Sequence, residues 1–155
     1  MKISCSFVLS PARERVFAAL VDPEVLRRSI PGCEEFTAVG DDIYQARLNI
    51  GVAGLKGSYG GRAELREKHP PESLTLRFDG KGGPGFVRGA ADIRLSIEAG
   101  GTRVTSEADV QVGGLIAAVG SRLIDVTARK LADDFFRRLA VEIDAGAELT
   151  SRHGS

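Results

Sequence analysis

Six strand-like stretches joined by short turns fill residues 33–112, and they limit what this chain can fold into more than any other feature. Glycine, proline and aspartate mark several of the turns, at Gly40–Asp42, Pro70-Pro71 and Gly100-Gly101. Turns this short join antiparallel neighbours, because parallel strands need a crossover of a dozen or more residues. The predicted strands are 33–39, 43–52, 55–68, 73–79, 86–98 and 102–112.

Alternation of apolar and polar residues is clearest in the last two of these strands. In strand 86–98, Val87 and every second residue to Ile97 share one face, opposite the face of Arg88. Strand 102–112 repeats the pattern, with Val104 to Val112 on one face and Arg103 to Gln111 on the other. The sheet is therefore predicted to have one covered face and one solvated face.

Residues 1–32 predict one further strand and two short helices. Helix-start signals occur at Ser10-Pro11 and Asp22-Pro23, and the second helix must stop before Pro31, because the residue before a proline avoids helical angles. No strand follows directly, which argues against a parallel βαβ arrangement. The first strand is indicated by the alternating apolar residues Ile3, Cys5 and Phe7.

One long helical pattern, from Leu115 to Ile143, remains to cover the sheet. The predicted fold is α+β, a helix-grip arrangement in which a curved antiparallel sheet of about seven strands wraps around the C-terminal helix. We expect one domain over 1–143 and a polar, disordered tail over 144–155. The apolar side of the helix is predicted to consist of Ile116, Val119, Leu123, Val126, Leu131, Phe135 and Leu139.

Composition excludes several classes of function. Twenty-one basic residues balance 21 acidic ones, so the whole chain offers no electrostatic case for binding nucleic acid or an anionic membrane. The two cysteines and two histidines do not cluster, which predicts no metal, no disulfide scaffold and a cytoplasmic location. The N-terminus does not resemble a signal peptide, and no apolar run is long enough to span a membrane.

Small residues recur on the predicted inner face of the sheet, at positions such as Ala46, Gly61, Ala91 and Ser106. Two interpretations are open: glycines serve sheet curvature and close helix approach, or the space they leave forms a ligand pocket. Taken over several strands, the pattern favours an apolar pocket, to which Tyr44, Tyr59 and Ser106 contribute polar groups.

An elongated, ring-bearing apolar molecule would suit this pocket, and Tyr59 is predicted to hydrogen-bond a carbonyl oxygen on it. A Val119→Trp change is expected to fill the space. The predicted ligand-binding residues are Leu48, Ile50, Tyr59, Phe78, Phe86, Ile116, Val119 and Leu123. We place the pocket mouth at Pro31 and Gly32, where a substitution is expected to alter ligand access more than stability.

Two glycine-rich segments have more than one interpretation. Gly80–Gly85 matches G-x-G-x-x-G, but a strand follows it and Pro84 lacks an amide donor, so we interpret it as a loop between strands. Gly113–Gly120 is apolar on every side for about two turns. It is either a helix start buried under neighbouring loops or an exposed lip that contacts a ligand, a partner or a membrane surface.

Five stretches of the chain match a known family: Phe17–Glu24, Ile30–Cys33, Gly51–Gly61, Gly80–Gly89 and Val110–Phe136. On these residues the chain resembles the CoxG family, whose members are accessory proteins of carbon monoxide dehydrogenase, within the START-like or SRPBCC superfamily. The resemblance implies a helix-grip fold around a hydrophobic cavity and no catalytic residues. It also marks Gly113 and Gly114, with Pro31 and Gly32, as fold markers near the cavity mouth.

The resemblance further implies work beside a molybdenum hydroxylase, either by recruiting it to the cytoplasmic membrane or by handling a quinone or other lipid. Many members continue into an apolar C-terminal segment, whereas this sequence ends in a polar stretch, so we expect no anchor of that kind here. A first hypothesis is therefore a non-catalytic binding protein without a cofactor, other than a bound quinone or lipid. Alternatives on the same fold are a polyketide cyclase-like enzyme and an assembly factor with a filled core.

Overall fold

The computed structural model describes residues 1–51 and 55–153, and side chains as far as residue 146. The elements, in chain order, are β1 Lys2–Leu9, α1 Arg13–Leu20, α2 Pro23–Ser29, β2 Cys33–Gly40, β3 Ile43–Ile50, β4 Gly57–His69, β5 Ser73–Gly82, β6 Gly85–Glu98, β7 Gly101–Gly113, a 3₁₀ helix Gly114–Val119 and α3 Ser121–His153. The seven strands form one antiparallel sheet in the order β1-β7-β6-β5-β4-β3-β2, which confirms the predicted α+β helix-grip fold.

Strand β1 completes the sheet by pairing with β7, so the first and last strands of the chain lie side by side. The register places Cys5 opposite Ser106 and Ile3 opposite Ala108. The amino group of Met1 donates to the Val110 carbonyl at 2.7 Å and extends this pairing to the first residue. The meander of β2 to β7 agrees with the predicted strands to within three residues at each boundary. The largest difference is at the end of β5, which continues to Gly82, and the predicted strand end at residue 52 lies outside the described residues.

The two short helices begin in different ways. Asp22 caps α2, because its carboxylate accepts from the backbone N–H groups of Glu24 and Val25 at 3.0 and 3.4 Å. The predicted start of α1 at Ser10-Pro11 is wrong by two residues, since the N-cap is Ala12 and no side chain caps it. The Pro11 carbonyl instead accepts the buried hydroxyl of Thr102 at 2.7 Å, which ties the start of α1 to β7.

Curvature of the sheet depends on glycines at close strand contacts. A Cβ atom built on Gly61 would collide with the backbone of Asp79, and one on Gly89 would collide with the backbone of Asp109. These glycines let neighbouring strands bend toward α3, as one of the two sequence interpretations proposed. The inner face is therefore concave, and the helix lies across it.

The helix differs from its prediction in where it begins and how far it extends. The segment before it is a 3₁₀ helix, and Gly120, with φ +93°, separates it from α3 at Ser121. Because this break resets the helical phase, Val119, Leu123 and Val126 are exposed rather than buried. The helix also continues to His153, across the predicted domain boundary at residue 143. None of the described helices is long and apolar enough to cross a membrane.

Side chains fill the core densely at one end of the sheet. There, Phe136, Leu139 and Ile143 of α3 pack against α1 and against the inner faces of β1, β6 and β7. The Phe7 and Phe136 ring centroids lie 4.6 Å apart. A smaller cluster of Leu55, Tyr59, Ile116 and Ile124 lies at the other end. The helix is thus held firmly at its C-terminal half and less densely at its beginning.

Leu139→Ala is expected to destabilise the protein by about 2–5 kcal/mol, because it leaves a cavity in the densely packed end. Leu139 is fully buried, whereas Val141 on the same helix is 63% exposed. Val141→Ala is the matched control and should change the free energy of unfolding by less than about 0.5 kcal/mol. Urea denaturation measures both, and equal effects would contradict this account of the core.

Candidate ligand-binding cavity

A cavity of about 490 Å³ lies between the concave face of the sheet and the first half of α3. It separates the two packed clusters and is not fully enclosed. Nearly all of its wall is apolar. Its main lining residues are Leu26, Ile30 and Pro31 beside α2, Ala46, Leu48, Ile50, Leu76, Phe78, Val87, Ala91 and Ile93 on the sheet, and Ile124, Ala128, Leu131, Ala132 and Phe135 on α3.

Four of the eight predicted ligand-binding residues line this cavity: Leu48, Ile50, Tyr59 and Phe78. They come from β3, β4 and β5, where alternation correctly separates the inner face from the outer face. The small residues Gly61, Ala63 and Ser106 also line it. Contact of these residues with a ligand remains a prediction.

Phe86 does not line the cavity, so its predicted position is wrong. Val87 points into the cavity, and successive side chains of a strand point to opposite faces, so Phe86 faces outward. The guanidinium of Arg88, two residues along the same face, lies over its ring at 4.6 Å from the centroid. A Cβ atom on Gly113 would collide with this ring, so Phe86 packs against the end of β7.

The three predicted helix residues also lie elsewhere. Ile116 is buried in the cluster with Leu55 and Tyr59 but does not line the cavity. Val119 and Leu123 are 38% and 41% exposed, so Val119→Trp would not fill the cavity. The residues that the sequence prediction missed, Ala128 and Ala132 above all, lie one turn apart on α3. Their spacing relative to Leu131 and Phe135 is the signal that identifies this face.

Of the four residues predicted at the cavity mouth, one lies on the cavity wall and three do not. Pro31 lines the cavity, whereas Gly32, Gly113 and Gly114 do not. Gly32 has φ +73°, its carbonyl accepts the Asn49 N–H at 2.8 Å, and an added Cβ would collide with the Asn49 backbone. Gly114, with φ +79°, lies against Gly85 in the same manner. These glycines are therefore needed for the local backbone conformation and do not control access of a ligand to the cavity.

Polar groups on the cavity wall are few. The Tyr59 hydroxyl donates to the Leu55 carbonyl at 2.8 Å, and burial raises the pKa of Tyr59. The hydroxyl hydrogen of Tyr59 is therefore already donated to a carbonyl of the protein, contrary to the prediction that it is donated to a carbonyl of a ligand. The Tyr44 ring stacks on Phe36 with centroids 5.0 Å apart. Burial, then the charge of Asp42, raises the pKa of Tyr44.

The described residues contain no group of three or more histidine, cysteine or acidic side chains that could hold a metal ion. Cys5 and Cys33 are both free, and burial raises the pKa of each thiol, which disfavours the nucleophilic thiolate. The Gly80–Gly85 segment is shorter as a loop than predicted, because Gly80 to Gly82 end β5, Gly85 begins β6, and Gly83 and Pro84 alone form the turn between them.

Another surface lies at the end of the sheet where β3 ends and β4 begins. We call it the cap and define it as residues 55–57, 81–85 and 113–123. Its segments contact one another, since the Ile116 N–H donates to the Pro84 carbonyl at 2.9 Å and a Cβ on Gly57 would collide with the Pro84 ring. Leu55 belongs both to the cap and to the cavity wall.

The cap combines exposed apolar side chains with unpaired cations. Leu115 is 75% exposed, and of the segment 114–120 Ile116 alone is buried, which favours the exposed lip over the buried helix start. Lys56, Lys81 and Arg122 are exposed and form no ion pair within the described part of the chain. The cap contains no carboxylate side chain. The overall charge balance therefore conceals a local basic surface.

Gly32→Val is expected to lower the free energy of unfolding by at least about 1–2 kcal/mol, because a β-branched residue is strained at positive φ. This reverses the expectation from the sequence that access would change more than stability. Pro31→Ala, the neighbouring control, should have a smaller effect because Pro31 lines the cavity wall. Urea denaturation distinguishes the two, and a larger loss for Pro31→Ala would contradict the assignment.

Comparison with known proteins agrees with this geometry. A family model for CoxG of carbon monoxide dehydrogenase matches residues 6–144. A conserved protein of known structure from Geobacillus kaustophilus is 36% identical, with a TM-score of 0.90 over 94% of this chain and 96% of that one. No curated protein gives a significant match.

More distant structures share the fold alone. A protein from Rhizobium leguminosarum is 16% identical, with a TM-score of 0.70 over 94% of this chain and 95% of that one. Protein Ms6760 from Mycobacterium smegmatis is 12% identical, with a TM-score of 0.71 over 94% of this chain and 92% of that one. The resemblance inferred from the sequence is confirmed by the family match, and the chain belongs to the CoxG family of carbon monoxide dehydrogenase accessory proteins.

Proposed function

We propose that this chain is a non-catalytic accessory protein that holds an apolar molecule in its cavity and serves a molybdenum hydroxylase of the carbon monoxide dehydrogenase type. Membership of the CoxG family supports the accessory role linked to carbon monoxide dehydrogenase. The observation that carries the ligand-binding part is the apolar cavity of about 490 Å³. Its volume lies within the range of small-molecule sites, about 300–1,000 Å³.

Physical chemistry favours an occupied cavity. Protein interiors are close-packed, and unfilled space beside apolar side chains costs stability. A ligand that buries apolar surface there contributes about 25 cal/mol per Å² before the costs of association. An elongated ring-bearing lipid such as a quinone suits the apolar wall that runs from Pro31 to the sheet-facing alanines of α3, Ala128 and Ala132.

The same wall supports a non-catalytic role. General acid–base catalysis needs a titratable group within hydrogen-bond reach of the substrate. Among the residues around the cavity, Asp79 and Arg62 occupy exposed, outward-facing positions of β5 and β4. The hydroxyl of Tyr59 is engaged by Leu55. These arrangements favour holding a molecule over transforming it.

The double substitution Ala128→Leu and Ala132→Leu is expected to weaken binding of a short-chain quinone at least about tenfold, because it fills the space under α3. Leucine keeps the helix propensity high, so the fold should survive. Val119→Trp adds bulk at an exposed position and is the matched control. Isothermal titration measures binding, and circular dichroism confirms folding.

Equal quinone binding by the wild type and the double variant, or binding by neither, would contradict this site. Turnover of the quinone without a partner protein would favour a cyclase-like enzyme instead. Mass spectrometry of organic extracts from the purified protein identifies the natural ligand independently of the chosen probe.

The cap supports a further part of the proposal, peripheral contact with an anionic membrane. Exposed Leu115 and Val119 offer apolar side chains to the lipid interface, and the cap also carries three exposed cations, Lys56, Lys81 and Arg122. Each lysine or arginine near an anionic bilayer contributes about 1 kcal/mol. Because Leu55 of the cap also lines the cavity, contact there would bring the cavity close to the lipid.

Reversing the cap charges with Lys56→Glu, Lys81→Glu and Arg122→Glu is expected to abolish sedimentation with vesicles of phosphatidylcholine and phosphatidylserine. The control reverses three cations outside the cap, Arg94, Lys130 and Arg138, and so changes the net charge equally. Vesicles of pure phosphatidylcholine should bind neither protein. Equal loss of binding in both variants would show that net charge, rather than the cap, determines the contact.

A further inference from the structure

Three side-chain hydroxyls line the cavity in the described part of the chain: those of Tyr44, Tyr59 and Ser106. The Tyr59 hydroxyl already donates to the Leu55 carbonyl. The Tyr44 ring packs in the filled core, and its hydroxyl experiences the charges of the surface pair Asp42 and Lys68. Among the three, only the Ser106 hydroxyl is neither engaged by a backbone carbonyl nor close to surface charges.

The Ser106 hydroxyl has no hydrogen-bond partner among the described residues. It is also not sealed off, because it does not belong to the buried polar atoms that lack partners, which are the Arg13 Nε and the Ser29 Oγ. A hydroxyl that faces an apolar space without a partner loses the hydrogen bonds it would make in water. Ser106 is therefore a position where a ligand can supply the hydrogen-bond partner that the described residues do not.

The surroundings of Ser106 leave room for that ligand. Ser106 lies in β7 between Cys5 of β1 and Ile93 of β6. The guanidinium of Arg129 donates to the Ser4 carbonyl at 2.6 Å, which holds the adjacent turn of α3 above this part of the sheet. The cavity-facing side chains of that turn and the next are Ala128, Leu131 and Ala132, two of which are small.

We propose that Ser106 is the polar anchor of the ligand, donating its hydroxyl hydrogen to a carbonyl oxygen of an apolar ring compound that lies beneath Ala128 and Ala132. This inference rests on the proposed function, since it requires that the cavity holds an apolar molecule. A carbonyl matches the site because it accepts a hydrogen bond and brings no hydrogen that would need a second acceptor in an apolar wall.

Two probes of nearly the same shape test the anchor. Fluorenone carries one ring carbonyl, and fluorene carries a methylene group in its place. Ser106→Ala is expected to weaken fluorenone binding about two- to tenfold, the range for one neutral hydrogen bond, and to leave fluorene binding unchanged. Ser106→Thr, which keeps a hydroxyl, should retain most of the fluorenone affinity. Ser96→Ala, the same change at an exposed position of β6, is the control.

Infrared spectroscopy of bound fluorenone gives a readout that a purely structural role would not alter. Loss of the hydrogen bond in Ser106→Ala should move the carbonyl stretch to higher frequency, whereas Ser96→Ala should not. Equal weakening of both probes, or an unchanged carbonyl stretch, would overturn the anchor and leave the cavity function standing. Binding of neither probe to the wild-type protein would overturn both proposals.

Discussion

One helix must cover the concave face of a seven-stranded sheet that is much wider than the helix, and most features of this molecule follow from this difference in width. Seven strands about 4.8 Å apart span roughly 29 Å, whereas a helix with its side chains is about 10–12 Å wide. The sheet curves toward the helix, which requires glycines such as Gly61 and Gly89 where strands approach too closely for a Cβ atom. Even so, the helix alone cannot fill the space.

The protein fills that space unevenly. At one end, α1 adds Val16, Phe17 and Leu20 to the aromatic and aliphatic side chains of α3, and the core is dense. Toward the other end the sheet is covered by the first half of α3 and the 3₁₀ helix, and α3 carries the small residues Ala128 and Ala132 on its cavity side. The cavity is the consequence of this distribution. A well-packed half stabilises the fold, so that the other half is free to hold a ligand.

Most of the fold, and half of the predicted ligand-binding residues, followed from local patterns. Alternation placed Leu48, Ile50, Tyr59 and Phe78 on the inner face, because side chains along a strand keep a period of two. The same rule, applied from Val87, also places Phe86 outside. The predicted positions of the ligand-binding residues on the helix were wrong for a different reason. A 3.6-residue period carries across a segment only if the helix is continuous, and Gly120 interrupts it.

The sequence by itself determined the antiparallel meander, the two short helices, the long covering helix and the family, because turn residues and periodicity act between near neighbours. Tertiary structure alone decided which face of α3 meets the sheet, that Tyr59 is engaged by Leu55, and that Ser106 has no partner among the described residues. It also gathered Lys56, Lys81 and Arg122, distant in sequence, into a basic surface on a chain of zero net charge. Such contacts depend on the spatial arrangement of distant segments, which no local pattern encodes.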